Sequence, residues 1–347
     1  MFSRTGNAFQ GEAVSKPSGR VVRYHPPTGL SRLFRPLPKA STRPVLDVRY
    51  APTDADSVLR FSAREALGVA EQSMLLVLLE IAQEQLRERG DDALLDAGVR
   101  WSVGAELWRS MYQAGAPSDY RTVVICTSWA EVNRRLGHGN GGALIGSRRE
   151  ALRRLCEVVV WEENSKERTT EQSYLVALLQ GIDRRLYIAL NHRLASSVMG
   201  RSHYVQVCLD ERFTLSGDLP KALHAFLSTA VKPGASLEVG LGKLVSRMWD
   251  DDDLASALAV VQRRKRDVQR ALQAIGRLEA WEVRLLGDKA TVRRRDPARR
   301  EMTCMRRIAS PKTSERVERQ REFPLSDKAL TRPDVSGLFA TTSKAHP

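Results

Sequence analysis

Apolar residues recur along the chain at helical and at alternating spacings, which predicts helices mixed with short strands. The clearest helix covers residues 69–89. One face of this helix carries Met74, Leu75, Leu78, Leu79 and Ala82. Two strand-like runs, residues 45–50 and 58–61, precede it.

The middle of the chain follows a definite order of elements. A strand at residues 123–126 leads into a short helix that ends at Leu136. A glycine-bearing turn at residues 137–142 then joins it to a helix at residues 144–158. A hairpin follows, with a strand at residues 158–161, a polar tip at residues 162–170 and a returning strand at residues 173–179. Helix, turn, helix and hairpin is the order of a winged helix-turn-helix.

The second half repeats this plan without repeating the sequence. Its predicted strands cover residues 186–190, 204–209, 236–239, 281–286 and 290–294. Its predicted helices cover residues 192–199, 220–231, 241–249 and 254–278. We therefore predict an α+β protein with tandem winged-helix domains.

Four segments follow from this pattern. Residues 1–43 are rich in Pro, Gly, Ser and Arg and lack periodicity, which favours a flexible basic arm. Residues 44–184 form the first predicted winged-helix domain and residues 185–300 the second. Residues 301–347 form a disordered C-terminal tail.

Charge changes the picture, because the 347-residue chain has 55 Lys and Arg against 41 Asp and Glu, a net charge of +14. Residues 1–43 hold eight cations and one anion, and residues 263–307 hold 15 cations and six anions. The residues between these segments have a net charge of −4. A basic surface concentrated in this way indicates a polyanionic partner.

The predicted interface lies on the second helix and the hairpin of each module, since the planar fork of Arg suits phosphates and guanine edges. In the first module the candidate DNA-binding residues are Arg148, Arg149, Arg153, Arg154, Lys166 and Arg168. In the second they are Arg263, Arg264, Lys265, Arg266, Gln269, Arg270, Arg293, Arg294 and Arg295. Helical spacing places Arg263, Arg266 and Arg270 on one face, and Gln269 suits adenine.

The sequence matches the known nucleotide-binding and metal-binding motifs only in part. The sequence at Gly242-Lys243 fails the phosphate-loop pattern, and Gly137-x-Gly139-x-x-Gly142 follows a predicted helix instead of a strand. The four cysteines are separated by 30, 52 and 96 positions, unlike a zinc site. We predict no catalytic residue, metal or cofactor. No apolar run is longer than six residues, as at residues 74–79, so we expect a soluble cytoplasmic protein without a membrane partner.

Particular sequence runs also carry a family resemblance. Arg185-Leu186-Tyr187-Ile188-Ala189-Leu190-Asn191, Val198-Met199-Gly200 and the run from Val205 to Glu211 resemble the middle of the RepC-type replication initiators of IncQ-like plasmids. Supporting similarity lies at Phe61-Ser62, Leu67-Gly68, Ala222-Leu223-His224, Lys232-Pro233-Gly234 and residues 263–281. The resemblance covers residues 44–290.

This resemblance implies tandem winged-helix domains that bind repeated sites, called iterons, in double-stranded DNA at a plasmid vegetative origin. Such initiators open an adjacent AT-rich region and admit plasmid or host helicase and primase. The family carries no nuclease or ATPase chemistry of its own. Self-association of the chain stays open.

Two other function classes remain as alternatives. A winged-helix transcriptional regulator would bind a single operator, usually as a symmetric dimer, and the two unequal modules argue against it. An enzyme such as a nuclease would nick supercoiled DNA in the presence of magnesium.

Overall fold

The computed structural model describes residues 19–37, 42–52, 57–99, 101–113, 119–137, 142–164, 166, 169–181, 183–249 and 258–296. The α-helices of these ranges are α1 (Pro26–Leu30), α2 (Val69–Arg89), α3 (Ser102–Met111), α4 (Trp129–Arg135), α5 (Gly142–Cys156), α6 (His192–Met199), α7 (Leu209–Thr214), α8 (Asp218–Ala230), α9 (Leu241–Met248) and α10 (Leu258–Gly276).

The strands are β1 (Val21–Tyr24), β2 (Leu46–Tyr50), β3 (Ser57–Ala63), β4 (Leu94–Leu95), β5 (Thr122–Thr127), β6 (Val159–Asn164), β7 (Thr169–Tyr174), β8 (Val176–Gln180), β9 (Leu186–Leu190), β10 (Val205–Cys208), β11 (Ser236–Gly240), β12 (Trp281–Leu286) and β13 (Lys289–Arg294). They pair in the orders β1-β10, β2-β3-β6-β7, β4-β5-β9-β8 and β11-β13-β12, with antiparallel neighbours in each sheet. The protein is therefore a mixed α and β structure, as the periodicity predicts.

Helix α2 is the centre of the first core. Its residues from Met74 to Leu79 are almost completely buried on every side, not on one face as the apolar spacing predicts. Strand β1, α5, β5 and α6 all pack around it. At its N-terminus, the Glu71 carboxylate accepts a hydrogen bond from the Gly68 backbone N–H at 2.8 Å. This contact satisfies one of the amide groups that a helix start leaves without a partner.

A second core lies under α10. Helices α8, α9 and α10 pack against the β11-β13-β12 sheet, and Trp281 is buried at the start of β12. The element order in this part matches the prediction, including the β12–β13 hairpin. The exposed sides of α10 and of the hairpin are consequently held in a fixed relation to each other.

The prediction of a flexible arm at residues 1–43 is wrong for residues 19–37. Strand β1 pairs with β10, and Val22 and Tyr24 are fully buried. Arg20 donates two hydrogen bonds of 2.7 Å to the Glu80 carboxylate on α2. A strand of four residues is too short to show periodicity, and Arg20, just before it, is neutralised by a carboxylate 60 positions along the chain.

Gly29 shows how closely this N-terminal segment packs on the second half. A Cβ at Gly29 would lie 2.4 Å from Thr229 Oγ1 and 2.9 Å from Tyr24 Cε1. The Arg247 guanidinium of α9 also donates to the Ser31 carbonyl at 2.9 Å. The segment therefore joins α8 and α9 to the first core.

The predicted boundary between residues 184 and 185 lies inside a sheet. Strand β9 pairs on one side with β5 and on the other with β8, both from the first half. The first core extends to Leu209, and the second begins, along this part of the chain, at Leu215. Strand pairing and packing thus place the transition from the first core to the second at about residue 210, not at residue 184. Both cores belong to one compact unit, Met1–Glu301.

The predicted returning strand at residues 173–179 is two strands. Strand β7 continues the β6 hairpin, whereas β8 enters the sheet with β9, and Leu175 lies between them. The turn at residues 138–141, the acidic turn at residues 250–253 and the tail at residues 301–347 lie outside the described residues.

Candidate nucleic-acid interface

Helix α10 has one buried side and one open side. Val268, Ala271, Leu272 and Ile275 are buried in the second core, as the apolar stripe predicts. On the opposite side, Arg263, Arg266, Gln269 and Arg270 share an open groove of about 450 Å³ with Asp267 and Gln273. We call Arg263, Arg266, Gln269 and Arg270 the α10 basic face.

Two guanidinium groups of this face have no partner among the described residues. Arg263 and Arg266 are exposed and make no ion pair or hydrogen bond there. Arg270 is also exposed, but its guanidinium pairs with the Asp267 carboxylate one turn earlier. The groove therefore offers free N–H donors in the fork geometry that phosphates and guanine edges accept.

The other two cations of the run have structural contacts. The Arg264 guanidinium lies 5.3 Å from the centre of the Trp249 ring, within the range of a cation–π contact. The Lys265 ammonium pairs with the Asp288 carboxylate at 2.7 Å, and Asp288 lies in the turn of the β12–β13 hairpin. These contacts fix the direction of α10 relative to the hairpin.

Side chains alternate between the two faces of β13, so the predicted cations of the hairpin lie on opposite faces. Arg293 and Arg295 are exposed, whereas Arg294 points inward. The Arg294 guanidinium donates to the carbonyls of Ser228 at 3.0 Å and Gln206 at 2.8 Å. Burial lowers the pKa of Arg294. The prediction that Arg294 contacts DNA is thus corrected, because both of its donor groups are used inside the protein.

Helix α5 uses its arginines differently from α10. Arg153 pairs with Glu150 and Glu157 on its own helix. The hydrogen bond with Glu150 raises the pKa of the Arg153 guanidinium. Its side chain is exposed, as predicted, but its donors are engaged by carboxylates that a DNA phosphate would have to displace.

Arg154 is bound still more closely to the protein. Its guanidinium pairs with Glu65 at 2.5 Å and with the buried Glu71 carboxylate at 3.3 Å. Hydrogen bonding to Arg154 lowers the pKa of Glu65. The Arg154 guanidinium also pairs with Glu150 at 3.0 Å, so a DNA phosphate would have to displace three carboxylates from it.

The remaining cations of the first module differ in access. Arg148 is buried at 6% exposure, and burial lowers the pKa of its guanidinium, so the predicted outward position is wrong. Arg149 is exposed, 5.8 Å from the centre of the Trp129 ring. Lys166 is exposed at the β6–β7 tip, and Arg168 lies outside the described residues.

Sequence reasoning missed several residues beside the α10 basic face. Gln273 lines the same groove four positions after Gln269, a spacing that places both on one helical face. Arg284 and Leu286 are exposed on β12. Alternation from Trp281 along the predicted strand at residues 281–286 would have placed Leu286 on the face opposite Trp281.

In the described parts of the chain, no group of three or more His, Cys, Asp or Glu side chains is arranged to hold a metal ion. The described helices also include none with the length and apolar character that crossing a bilayer requires.

Comparisons with known proteins give one family. The family model described as Replication protein C (RepC) matches residues 20–296. No curated protein sequence matches the chain.

Solved structures give more distant similarities. One is described as a crystal structure of selenomethionine derivatives of domain 2 and domain 3 of RctB. It is 10% identical with a TM-score of 0.44, and the match covers 75% of this chain and 94% of that one. Another, of RctB domains 2-3, is 10% identical with a TM-score of 0.43 and covers 77% and 97%. No conclusion about this chain follows from similarity at that level.

Proposed function

The chain belongs to the Replication protein C (RepC) family, and we propose on that basis that it initiates replication by binding double-stranded origin DNA. In this proposal its sites are iterons at a plasmid vegetative origin. The bound protein promotes opening of a neighbouring AT-rich region and recruits plasmid or host helicase and primase in the cytoplasm. The chain itself performs no catalytic step.

The observation that carries the proposal is the α10 basic face. Arg263 and Arg266 are exposed cations without a partner in the described structure, beside Gln269 in one groove. Unpaired like charges on one helix are unfavourable in isolation, and a polyanion relieves this repulsion. Arg263, Arg266 and Arg270 would read guanine edges, and Gln269 would read adenine.

We interpret the second core as a winged-helix domain. Its order is α8, β11, α9, α10, β12 and β13, and β11 completes a three-stranded sheet with the hairpin. Helix α10 would lie in the major groove. Arg293 and Arg295 would contact phosphates, which position the protein without reading sequence.

The first module supports a smaller interface. Its order of α4, α5, β6 and β7 also fits a winged helix, but Arg148 is buried, and Arg153 and Arg154 pair with carboxylates. Two modules in one chain could contact adjacent helical turns, about 34–36 Å apart. Copies on neighbouring repeats could bend the duplex and assist opening at flexible steps.

The decisive experiment removes the two unpartnered arginines of α10. The Arg263→Ala/Arg266→Ala variant should bind a duplex selected by the wild-type protein from a randomised pool about 2–6 kcal/mol more weakly, at about 1–3 kcal/mol per contact. Fluorescence anisotropy at fixed salt measures this change. Repeating the measurement at several salt concentrations gives the salt dependence of the affinity, which reports the phosphate contacts that the variant loses.

The matched control is Arg87→Ala/Arg109→Ala, which removes the same charge from exposed positions on α2 and α3. It should weaken binding by less than about 0.5 kcal/mol, because distant surface charges are screened by salt. Equal losses in both double variants would contradict the proposed interface. A footprint on the DNA around the gene adds a second criterion: direct repeats indicate an initiator, and a single palindrome indicates a transcriptional regulator.

A further inference from the structure

The tip of the β12–β13 hairpin carries an apolar side chain in an exposed position. Leu286 is 84% exposed and immediately precedes the two-residue turn Gly287-Asp288. Gly287 has φ +57°, and no described atom lies within 4 Å of where its Cβ would be. The Leu286 side chain thus points to solvent from the outward face of the hairpin. Polar residues dominate such turns, so a large apolar side chain there has no role in the turn itself.

Cations surround Leu286 on the outward face of the hairpin. Arg284 lies two residues earlier on the same face, with a side chain 80% exposed. Lys289 is the cross-strand partner of Leu286, and Arg293 lies farther along the same face. Carboxylates accompany two of them, since Arg284 pairs with Glu282 and Lys289 with Glu238. Arg293 has no partner among the described residues.

The hairpin is held firmly at both ends. Trp281, at the base of β12, is buried at 1% exposure. At the tip, Asp288 accepts from Lys265 of α10 at 2.7 Å, and its carbonyl accepts from the Leu241 amide at 2.8 Å. Five residues of extended strand separate Trp281 from Leu286, which gives a reach of about 17 Å.

We propose that Leu286 enters the DNA minor groove beside α10 and wedges between two base pairs. This inference rests on the proposed function, since it requires α10 to lie in the adjacent major groove. Minor-groove proteins that kink DNA combine cations with an inserted apolar side chain such as Leu, Ile or Phe. The outward hairpin face has this combination, with Leu286 and Lys289 beside the turn and Arg284 and Arg293 nearer the base.

The wedge gives the protein a way to begin melting DNA. Inserting Leu286 partly unstacks one base step and transfers the leucine side chain out of water, and the second effect offsets part of the cost of the first. Pyrimidine–purine steps such as TA unstack most easily, so such a step is the expected target.

Base unstacking can be measured directly in the intact protein–DNA complex. The probe is the duplex selected by the wild-type protein from a randomised pool, with 2-aminopurine replacing each adenine in turn. Wild-type protein should raise 2-aminopurine fluorescence severalfold at one step. Leu286→Ala should lose most of that increase while its affinity falls less than about tenfold. Leu286→Phe should retain it, because Phe can also act as a wedge.

Val45→Ala is the control for loss of an exposed apolar side chain, since Val45 is 72% exposed and precedes β2, outside the proposed interface. It should leave the fluorescence increase unchanged. An unaltered increase in Leu286→Ala would overturn the wedge, and so would tight wild-type binding without an increase at any adenine. Failure of the proposed function has a different signature, because the Arg263→Ala/Arg266→Ala variant would then bind as tightly as the wild type.

Discussion

Helices α5 and α10 carry similar runs of arginine and use them in opposite ways. Arg153 and Arg154 of α5 are held by Glu150, Glu157, Glu65 and Glu71. On α10, Arg263 and Arg266 face solvent in a groove with only one carboxylate, Asp267, among its lining residues. The difference shows that carboxylates within reach, more than the number of arginines, decide whether a basic helix can serve a polyanion.

The largest expected effect on stability is on α5. Arg154→Ala leaves the Glu71 carboxylate, 1% exposed, with Arg43 as its remaining cation in the described structure. Removing one partner of a buried ion pair is strongly destabilising, so the free energy of unfolding should fall by about 3 kcal/mol. Urea denaturation measures this loss. Arg149→Ala, on the exposed side of the same helix, should cost less than about 1 kcal/mol, and equal losses would mean that α5 is not held by its ion pairs.

The neighbouring residues Arg293 and Arg294 test the same distinction within one strand. Arg294→Ala removes the donors to two carbonyls and should lower the free energy of unfolding by about 2 kcal/mol. Arg293→Ala should leave stability within about 0.5 kcal/mol but reduce the salt dependence of DNA binding by about one counterion. The reverse pattern in the two variants would show that the strand faces are assigned wrongly.

The smallest expected effect is the part of the pH dependence of stability that comes from the carboxylates paired with the α5 arginines. The hydrogen bonds from Arg154 lower the pKa of Glu65, and those from Arg153 lower the pKa of Glu150. These carboxylates stabilise the fold above their unfolded pKa of about 4.3 and lose that contribution as the pH falls through their lower folded pKa. Urea unfolding from pH 7 to pH 3 should therefore show a smaller acid loss in Glu65→Gln than in the wild type. An identical acid loss would indicate that this pair contributes nothing.

Much of the second core follows from local sequence. The stripe of Val268, Leu272 and Ile275 predicts which side of α10 is buried, and the three-to-four-residue spacing of its cations predicts the open side. In the first module, two ion pairs of Arg154 could not be predicted, because those carboxylate partners are remote in sequence. Glu65 and Glu71 lie 89 and 83 positions from Arg154, a separation that no local pattern reports.

Other errors had a visible signal. Glu150 and Glu157 lie one turn from Arg153, so i,i+3 and i,i+4 pairing alone favours an engaged guanidinium. Ala290, Val292 and Arg294 alternate along β13, which predicts that Arg294 points inward with them. The N-terminal strand β1 gave no comparable signal, since its identity depends on pairing with β10.

That pairing has a consequence for how the protein is made. Arg20 and its partner Asp210 are 190 residues apart, and β1 leaves the ribosome long before β10 is synthesised. At about 5–20 residues per second, β1 waits roughly 10–40 s for its partner. During translation Val22 and Tyr24 have no strand to pair with, so the nascent chain cannot close its first core until β10 has emerged.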